Sequence, residues 1–428
     1  MAPDPAGTGR RERAATAALV AAVAGTLLAL AATAPARAVP APASAAARPG
    51  QPVQSLEWWF PDWDVQTKVW PLSRGAGVTV ALLDSGVQAS LPDIRAAVVP
   101  GGDTTGAGTN GMTDDNGPQG HGTGLASLIA GQGVDGGVLG IAPAAKILPV
   151  VVGGRRDIDA GGTPATVAAG IRYAVQHGAQ VINMSLGDTD APSASSCDPA
   201  EQDAVAYALQ HNVILVAAAG NEFSSGNPPE QPASCAGVLA VGAVAPSLKL
   251  WPASERQPYV AVTAPGSDIT TLAQDGGNYF VSGTSCSAAF VSGEAALVRS
   301  RYPSMPWYQV VQRILNTALP EGSGLPNTSY GFGIVRIPGA LDAARYKVAA
   351  SAPDPVLAAY QQWLGTPQGR QFTSPARPRP GPGRSTPAAA PRSSSGIGPA
   401  AVFLVVLVVV AGITALSVVA VRRRRGRS

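Results

Sequence analysis

The stretch Gly283-Thr284-Ser285-Cys286-Ser287-Ala288-Ala289-Phe290-Val291-Ser292-Gly293 decides how the rest of the chain is read. A serine sits among small residues at the head of a run that turns helical through Ala295, Ala296, Leu297 and Val298. At a helix N-terminus the backbone N–H groups are unpaired and the positive end of the helix dipole lies beside them. Negative charge developing on a carbonyl oxygen at that place is stabilised. A serine hydroxyl still needs a base to take its proton. Gly-Thr-Ser alone is also how any capped helix begins. The reading therefore turns on whether the chain supplies a histidine, a carboxylate and a second oxyanion donor.

Residues 78–83 are an apolar, β-branched run ending in Asp84-Ser85-Gly86, which reads as a buried parallel strand with a carboxylate at its C-terminal end. In open α/β sheets, sites gather at those strand ends. A Gly-, Thr- and Asp-rich loop over 101–120 delivers His121 to the head of a small-residue helix, with Gly122 next to it for close backbone approach. The other two histidines, His177 and His211, sit where helical stretches end, a structural place. Residues 213–218 read as a strand running into Ala219-Gly220-Asn221, and the Asn221 amide is the candidate second donor. Between these motifs strands (146–152, 181–187, 238–244, 260–264) alternate with helices (163–177, 200–210), and further helices follow at 285–302 and 307–318. The pattern predicts an α/β fold, a mostly parallel sheet with helices on both faces.

Charged residues are 13% of the chain while Gly (50) and Pro (39) abound, which favours tight backbone packing and many loops. The net charge of +3 is local, since the last seven residues hold five arginines, and no nucleic-acid partner is indicated. Arg10, Arg11 and Arg13, the apolar 17–30 and Ala36-Arg37-Ala38 make 1–38 a secretory signal peptide. Residues 397–421 carry no charge and are long enough to form one transmembrane helix. Arg422 to Arg425 and Arg427 follow, so the tail 422–428 is expected in the cytoplasm and the body outside a cell membrane crossed once. An extension, 39–69, carries the aromatic arm Glu57-Trp58-Trp59-Phe60-Pro61-Asp62-Trp63. Aromatics at this density dock on a neighbouring domain; the other reading is an inhibitory propeptide. Residues 346–396 read as a linker, Pro-rich from 374 onward. In an oxidising compartment Cys197 and Cys235 can pair, which leaves Cys286 as a small apolar filler or a reactive thiol. No His/Cys cluster has metal-ligand spacing and no cofactor is indicated; Asp114 and Asp115 lack a calcium-loop motif, which leaves a structural calcium open.

With Asp84-Ser85-Gly86, His121-Gly122-Thr123, Ser185-Leu186-Gly187, Ala219-Gly220-Asn221 and Gly283-Thr284-Ser285 in this order, residues 70–345 resemble the subtilisin-like serine proteases. The order Asp, His, Ser fits that family and not the chymotrypsin or α/β-hydrolase orders. The resemblance implies that Asp84 orients His121, that His121 takes the proton of Ser285, and that Asn221 and the Ser285 N–H hold the oxyanion. It implies a protein or peptide substrate paired along Ser185, Leu186 and Gly187, and a cis bond before Pro232. Ala289 stands where the family usually has proline, and a helix accepts alanine. Signal, arm, Trp70-Pro71-Leu72-Ser73-Arg74-Gly75-Ala76-Gly77-Val78, linker, span and basic tail together resemble the mycosins, membrane-anchored proteases associated with type VII secretion in actinobacteria. That likeness implies a secretion complex in the membrane as partner. Because hydrolysis requires neither anchor nor arm, it also admits a mainly structural subunit of that complex.

Overall fold

Thr79–Asp84 (β1) is the strand from which the sheet grows to both sides. The computed structural model describes residues 53–373 apart from 115, 118, 154–161 and 190. The expected signal peptide, membrane span and basic tail lie outside the described residues. Among the described residues no helix is long and apolar enough to cross a membrane. Six further strands are β2 Gly102–Asp103, β3 Lys146–Val151, β4 Val181–Met184, β5 Ile214–Ala218, β6 Leu239–Val244 and β7 Val260–Pro265. All pair in parallel, in the order β2-β3-β1-β4-β5-β6-β7. Strands β4 to β7 are buried at every position, the reason they read as unbroken apolar runs rather than alternating ones.

Besides single turns at Trp59–Asp62 and Pro92–Arg95, the helices among the described residues are α1 His121–Ala130, α2 Pro164–Gln176, α3 Pro199–Gln210, α4 Thr284–Arg301, α5 Trp307–Asn316, α6 Ile337–Leu341 and α7 Pro355–Leu364. From β1 the chain runs out to the edge strand β2, returns through α1 to β3 beside β1, then crosses through α2 to β4 on the other side of β1. Helix α2 packs beside α3, and α1 beside α4. The reversal at β1 opens a crevice at the C-terminal ends of β1 and β4. Local chemistry sets the helix ends. Thr163 and Thr166 form a capping box ahead of Pro164, and Asp198 accepts from the N–H groups of Ala200 and Glu201 ahead of Pro199. His177 and His211 close α2 and α3, each Nδ1 bonded to the carbonyl four residues back, at 2.8 and 2.7 Å.

Two elements depart from the sequence reading. An antiparallel pair, β8 Ile269–Leu272 and β9 Asn278–Val281, occupies a stretch to which the sequence reading assigned no element. The expected linker from 346 is corrected in its first part, because ordered structure continues to residue 373. Asp354 caps α7 by accepting from Leu357 N–H. Helix α7 buries Val356 and Tyr360, with Tyr360 edge-on to Trp307 at 6.0 Å and Trp363 against Phe372 at 5.5 Å.

The aromatic arm docks. Trp59 and Trp63 pack against Phe290 of α4 with ring centroids 5.0 and 5.7 Å away, and Trp63 Nε1 donates to Val335 O at 3.2 Å. No hydrogen bond joins the arm's described residues to Asp84, His121 or Ser285. Helix α4 is buried all round, from Cys286 to Arg299, and runs unbroken through Ala289. Burial pushes the Cys286 thiol up to about 12, which suits a filler rather than a nucleophile.

Glu294, in mid-α4, is fully buried with no hydrogen-bond partner for either oxygen among the described residues. Burial raises it from the ordinary 4.5 to about 8. Between those pH values the native state holds a proton that the unfolded chain has lost, so stability falls as pH rises. Thermal melts between pH 5 and pH 9 should show a declining Tm. Glu294→Leu should flatten the decline and add about 2 kcal/mol near pH 8.

Candidate active site

The site is assembled where β1, β4 and β5 end and α1 and α4 begin. Asp84 closes β1, and its Oδ1 and Oδ2 lie 2.9 and 3.0 Å from His121 Nδ1 in the first turn of α1. An ionised carboxylate can only accept, so this pairing assigns the proton to Nδ1 and leaves Nε2 as the basic nitrogen. Gly122 permits the approach, because a Cβ there would lie 2.1 Å from Gly86 O. Asp114, expected in a surface loop, is instead buried. It accepts from Ser85 Oγ at 2.8 Å and from Thr123 N and Oγ1 at 2.8 and 2.6 Å, pinning the end of β1 to the start of α1. Burial, opposed by the Thr123 bonds and reinforced by the charge of Asp84, holds Asp114 above its ordinary value.

The His121 side chain is 40% exposed. Crowding of the ring by protein disfavours its cation, but Asp84, and Asp114 behind it, outweigh that effect and raise the pKa above 6.5.

Ser285 sits at the second position of α4, clamped to the segment after β4 by a buried chain of hydrogen bonds. Ser292 Oγ donates to Asn183 Oδ1 at 2.9 Å, and Asn183 Nδ2 donates to Ser185 Oγ at 2.8 Å. Ser185 Oγ in turn donates to Ser285 O at 2.9 Å. Each group is satisfied by the next, so the chain acts as one unit. The Ser285 hydroxyl donates to Ser185 O at 3.3 Å, and no hydrogen bond joins it to His121 among the described residues. In ligand-free sites such bonds are often long and tighten around substrate.

Asn221 follows β5. Its Oδ1 accepts from Thr284 N at 2.9 Å and Thr284 Oγ1 at 3.0 Å, while Thr284 Oγ1 accepts from Gly220 N at 3.2 Å. The Thr284 N–H fixes which end of the amide is oxygen, leaving Asn221 Nδ2 as a free donor beside the N-terminus of α4. Past Ser185, the backbone groups of Leu186 and Gly187 have no backbone partners among the described residues. Such a segment can pair with an extended peptide. Beyond it, Asp188 and Gln231 form a two-way backbone bridge, and the Gln231–Pro232 bond is cis. A disulfide joins Cys197 to Cys235 across a Cα separation of 4.9 Å. Thr284, Asn183, Ser292 and Asp114 were not singled out for these duties in the sequence. A polar Asn in an apolar strand and small hydroxyls in a buried helix were the available signals.

A sequence profile of the subtilase family, peptidase S8, matches residues 75–333. The chain belongs to the subtilase family. It is 38% identical over 261 residues to a thermostable alkaline protease of Halalkalibacterium halodurans, an alignment covering 61% of this subtilase and 66% of that protein. It is 32% identical over 411 residues to Mycosin-3 of Mycobacterium tuberculosis, covering 83% of the chain and 82% of Mycosin-3. Among solved structures it is similar to MycP1, described as a serine protease and an essential component of the type VII (ESX-1) secretion system. That likeness has a TM-score of 0.58 and 32% identity, over 70% of this chain and 92% of MycP1.

Two predictions concern the amide lock and the histidine. Thr284→Val keeps the side-chain shape but removes the hydroxyl between Gly220 N–H and Asn221. Steady-state kinetics on a peptide should show kcat reduced about 10–100-fold with KM little changed, below the loss expected for removing an oxyanion donor outright. Because neutral His121 is the form that takes a proton, kcat/KM should rise with pH through a midpoint above 6.5. A pH–rate profile checks the sign and the direction of the shift.

Proposed function

We propose that this subtilase is a membrane-anchored, extracytoplasmic serine endopeptidase, using Asp84, His121 and Ser285 and working beside a type VII secretion complex. One observation carries the catalytic part. The His121 ring is gripped by Asp84 at 2.9 and 3.0 Å, in the crevice where Ser285 begins α4 and Asn221 is locked with its donor outward. Ser285 Oγ attacks the peptide carbonyl as His121 Nε2 takes its proton, and the oxyanion settles between Asn221 Nδ2 and the Ser285 N–H. Collapse expels the amine, protonated by His121, and leaves an acyl-enzyme. Water then repeats the cycle and releases the acid, while Asp84 stays ionised and keeps the imidazole oriented.

The anchor rests on the charge-free stretch 397–421 and the five arginines after it, and export on residues 1–38. The secretion role rests on the likeness to Mycosin-3, which extends well beyond the 75–333 match. A second reading, mainly a structural subunit of such a complex, draws support from the arm, whose tryptophans brace the domain behind the nucleophile helix.

A fluorophosphonate probe applied to the full chain in membranes should label Ser285 and nothing in Ser285→Ala. The substitution should reduce kcat by about a million-fold, the magnitude measured in subtilisin itself. A folded protein that is not labelled would exclude the peptidase. A Ser285→Ala strain that secretes normally where a deletion strain does not would favour the structural subunit.

A further inference from the structure

Behind the oxyanion donor and the substrate segment stand three carboxyl groups that hydrolysis does not use. Glu222, Glu230 and Glu255 each bring one oxygen within 4.8 Å of the others. Buried Glu230 is central, because its carboxyl group fills the gap between two backbone segments. A Cβ on Gly187 would lie 1.9 Å from Glu230 Oε2, and one on Gly220 would lie 2.7 Å from Glu230 Oε1. One oxygen therefore faces the substrate segment, and the other faces the strand end that carries Asn221.

The companions of Glu230 tie the cluster to the site. Glu222, half-buried, accepts from Asn221 N–H at 2.7 Å. Glu255 is wholly buried, and its Oε1 has no hydrogen-bond partner among the described residues. The Tyr259 hydroxyl donates to Glu255 Oε2 at 3.3 Å and accepts from Glu230 N–H at 2.9 Å. The neighbouring cation does not neutralise the group, since the Arg256 guanidinium lies over the Phe223 ring at 3.7 Å. Burial first, and then Glu222, hold both Glu230 and Glu255 above the carboxylate range, so the cluster keeps protons that an entering cation can displace.

A carbonyl held between Asn221 Nδ2 and Ser285 N–H belongs to the residue preceding the cleaved bond. With the peptide paired along Ser185–Gly187, the side chain of that residue would face Gly187 and Gly220, the two glycines against which the Glu230 carboxyl group lies. We propose that Glu230, with Glu222 at the rim and Glu255 behind, forms the floor of this pocket and selects lysine or arginine before the cleaved bond. An acid at the floor of such a pocket sets a basic preference. An ammonium or guanidinium group there would gain charge-assisted hydrogen bonds from carboxylates that have no cation of their own. The inference rests on the peptidase reading above, whose failure has a separate signature in the test.

Full-length protein in membranes would be given peptides differing only in Arg, Lys, Leu or Glu before the cleaved bond, with rates normalised to fluorophosphonate-labelled Ser285. Arg and Lys should exceed Leu in kcat/KM by about tenfold or more, and Glu230→Gln and Glu222→Gln should each reduce the Arg-to-Leu ratio by about tenfold. A ratio near unity, or one that survives both substitutions, overturns the proposal. Binding of the same peptides to Ser285→Ala is the readout that does not need turnover. Tighter binding of the Arg peptide to Ser285→Ala, where the wild type hydrolyses none of the peptides, would keep the pocket and discard the peptidase. Calcium that raises the Tm of the wild type but not of Glu230→Gln, with no peptide preference, would make the cluster a metal site and also overturn the proposal.

Discussion

The site depends on a helix that the fold surrounds on every side. Between Gly283 and Arg299, Ser285 is the one residue that is not buried. A helix in that position cannot leave polar groups unpaired without cost, and its pairings define the site. Ser287 donates to the carbonyls of Ala264 and Pro265, which fixes α4 against the end of β7. Ser292 reaches Asn183 in β4, and Thr284 locks the Asn221 amide after β5. Burial thus holds Ser285 and the amide of Asn221 in fixed relation without any bond between the two. Glu294 stands apart, a buried acid with no hydrogen-bond partner among the described residues, and burial keeps it protonated well above the ordinary carboxylate range.

Opposing demands meet at the Asp84–His121 pair. The ring must stay reachable from solvent and yet keep one tautomer. Exposure of the side chain serves the first need, and a carboxylate bonded at Nδ1 serves the second. Asp114 repeats the device one layer deeper, where it orients Ser85 and Thr123 rather than the ring itself.

Much of this was legible in the sequence because the relevant signals are local. An apolar run ending in Asp84, a small-residue helix opened by His121, and Asn221 after a strand each carry their own chemistry. The helix starts read at 163 and 200 lie within a residue of the observed starts of α2 and α3. What escaped notice depends on contacts distant in sequence. Glu222, Glu230 and Glu255 are single acids in separate loops, joined only because Gly187 and Gly220 leave room for a carboxyl group between them. Asp114 looked like a loop residue, yet the loop folds it under Thr123. Helix α7 was hidden by composition, since its run Val356, Leu357, Tyr360, Trp363 sits next to a stretch dominated by proline and alanine.

The docking of Trp59 and Trp63 on Phe290 redraws where the folded unit starts. Their rings fill space inside the same core that supports α4, so the arm is interior material although it precedes the first strand in sequence. Proteolytic trimming upstream of Val53 would leave that core whole. A cut past Trp63 would remove two indoles from beneath α4 and open a void on its far side. The boundary of the folded unit is therefore set by packing behind α4, and an N-terminus placed at Thr79 would begin inside the protein.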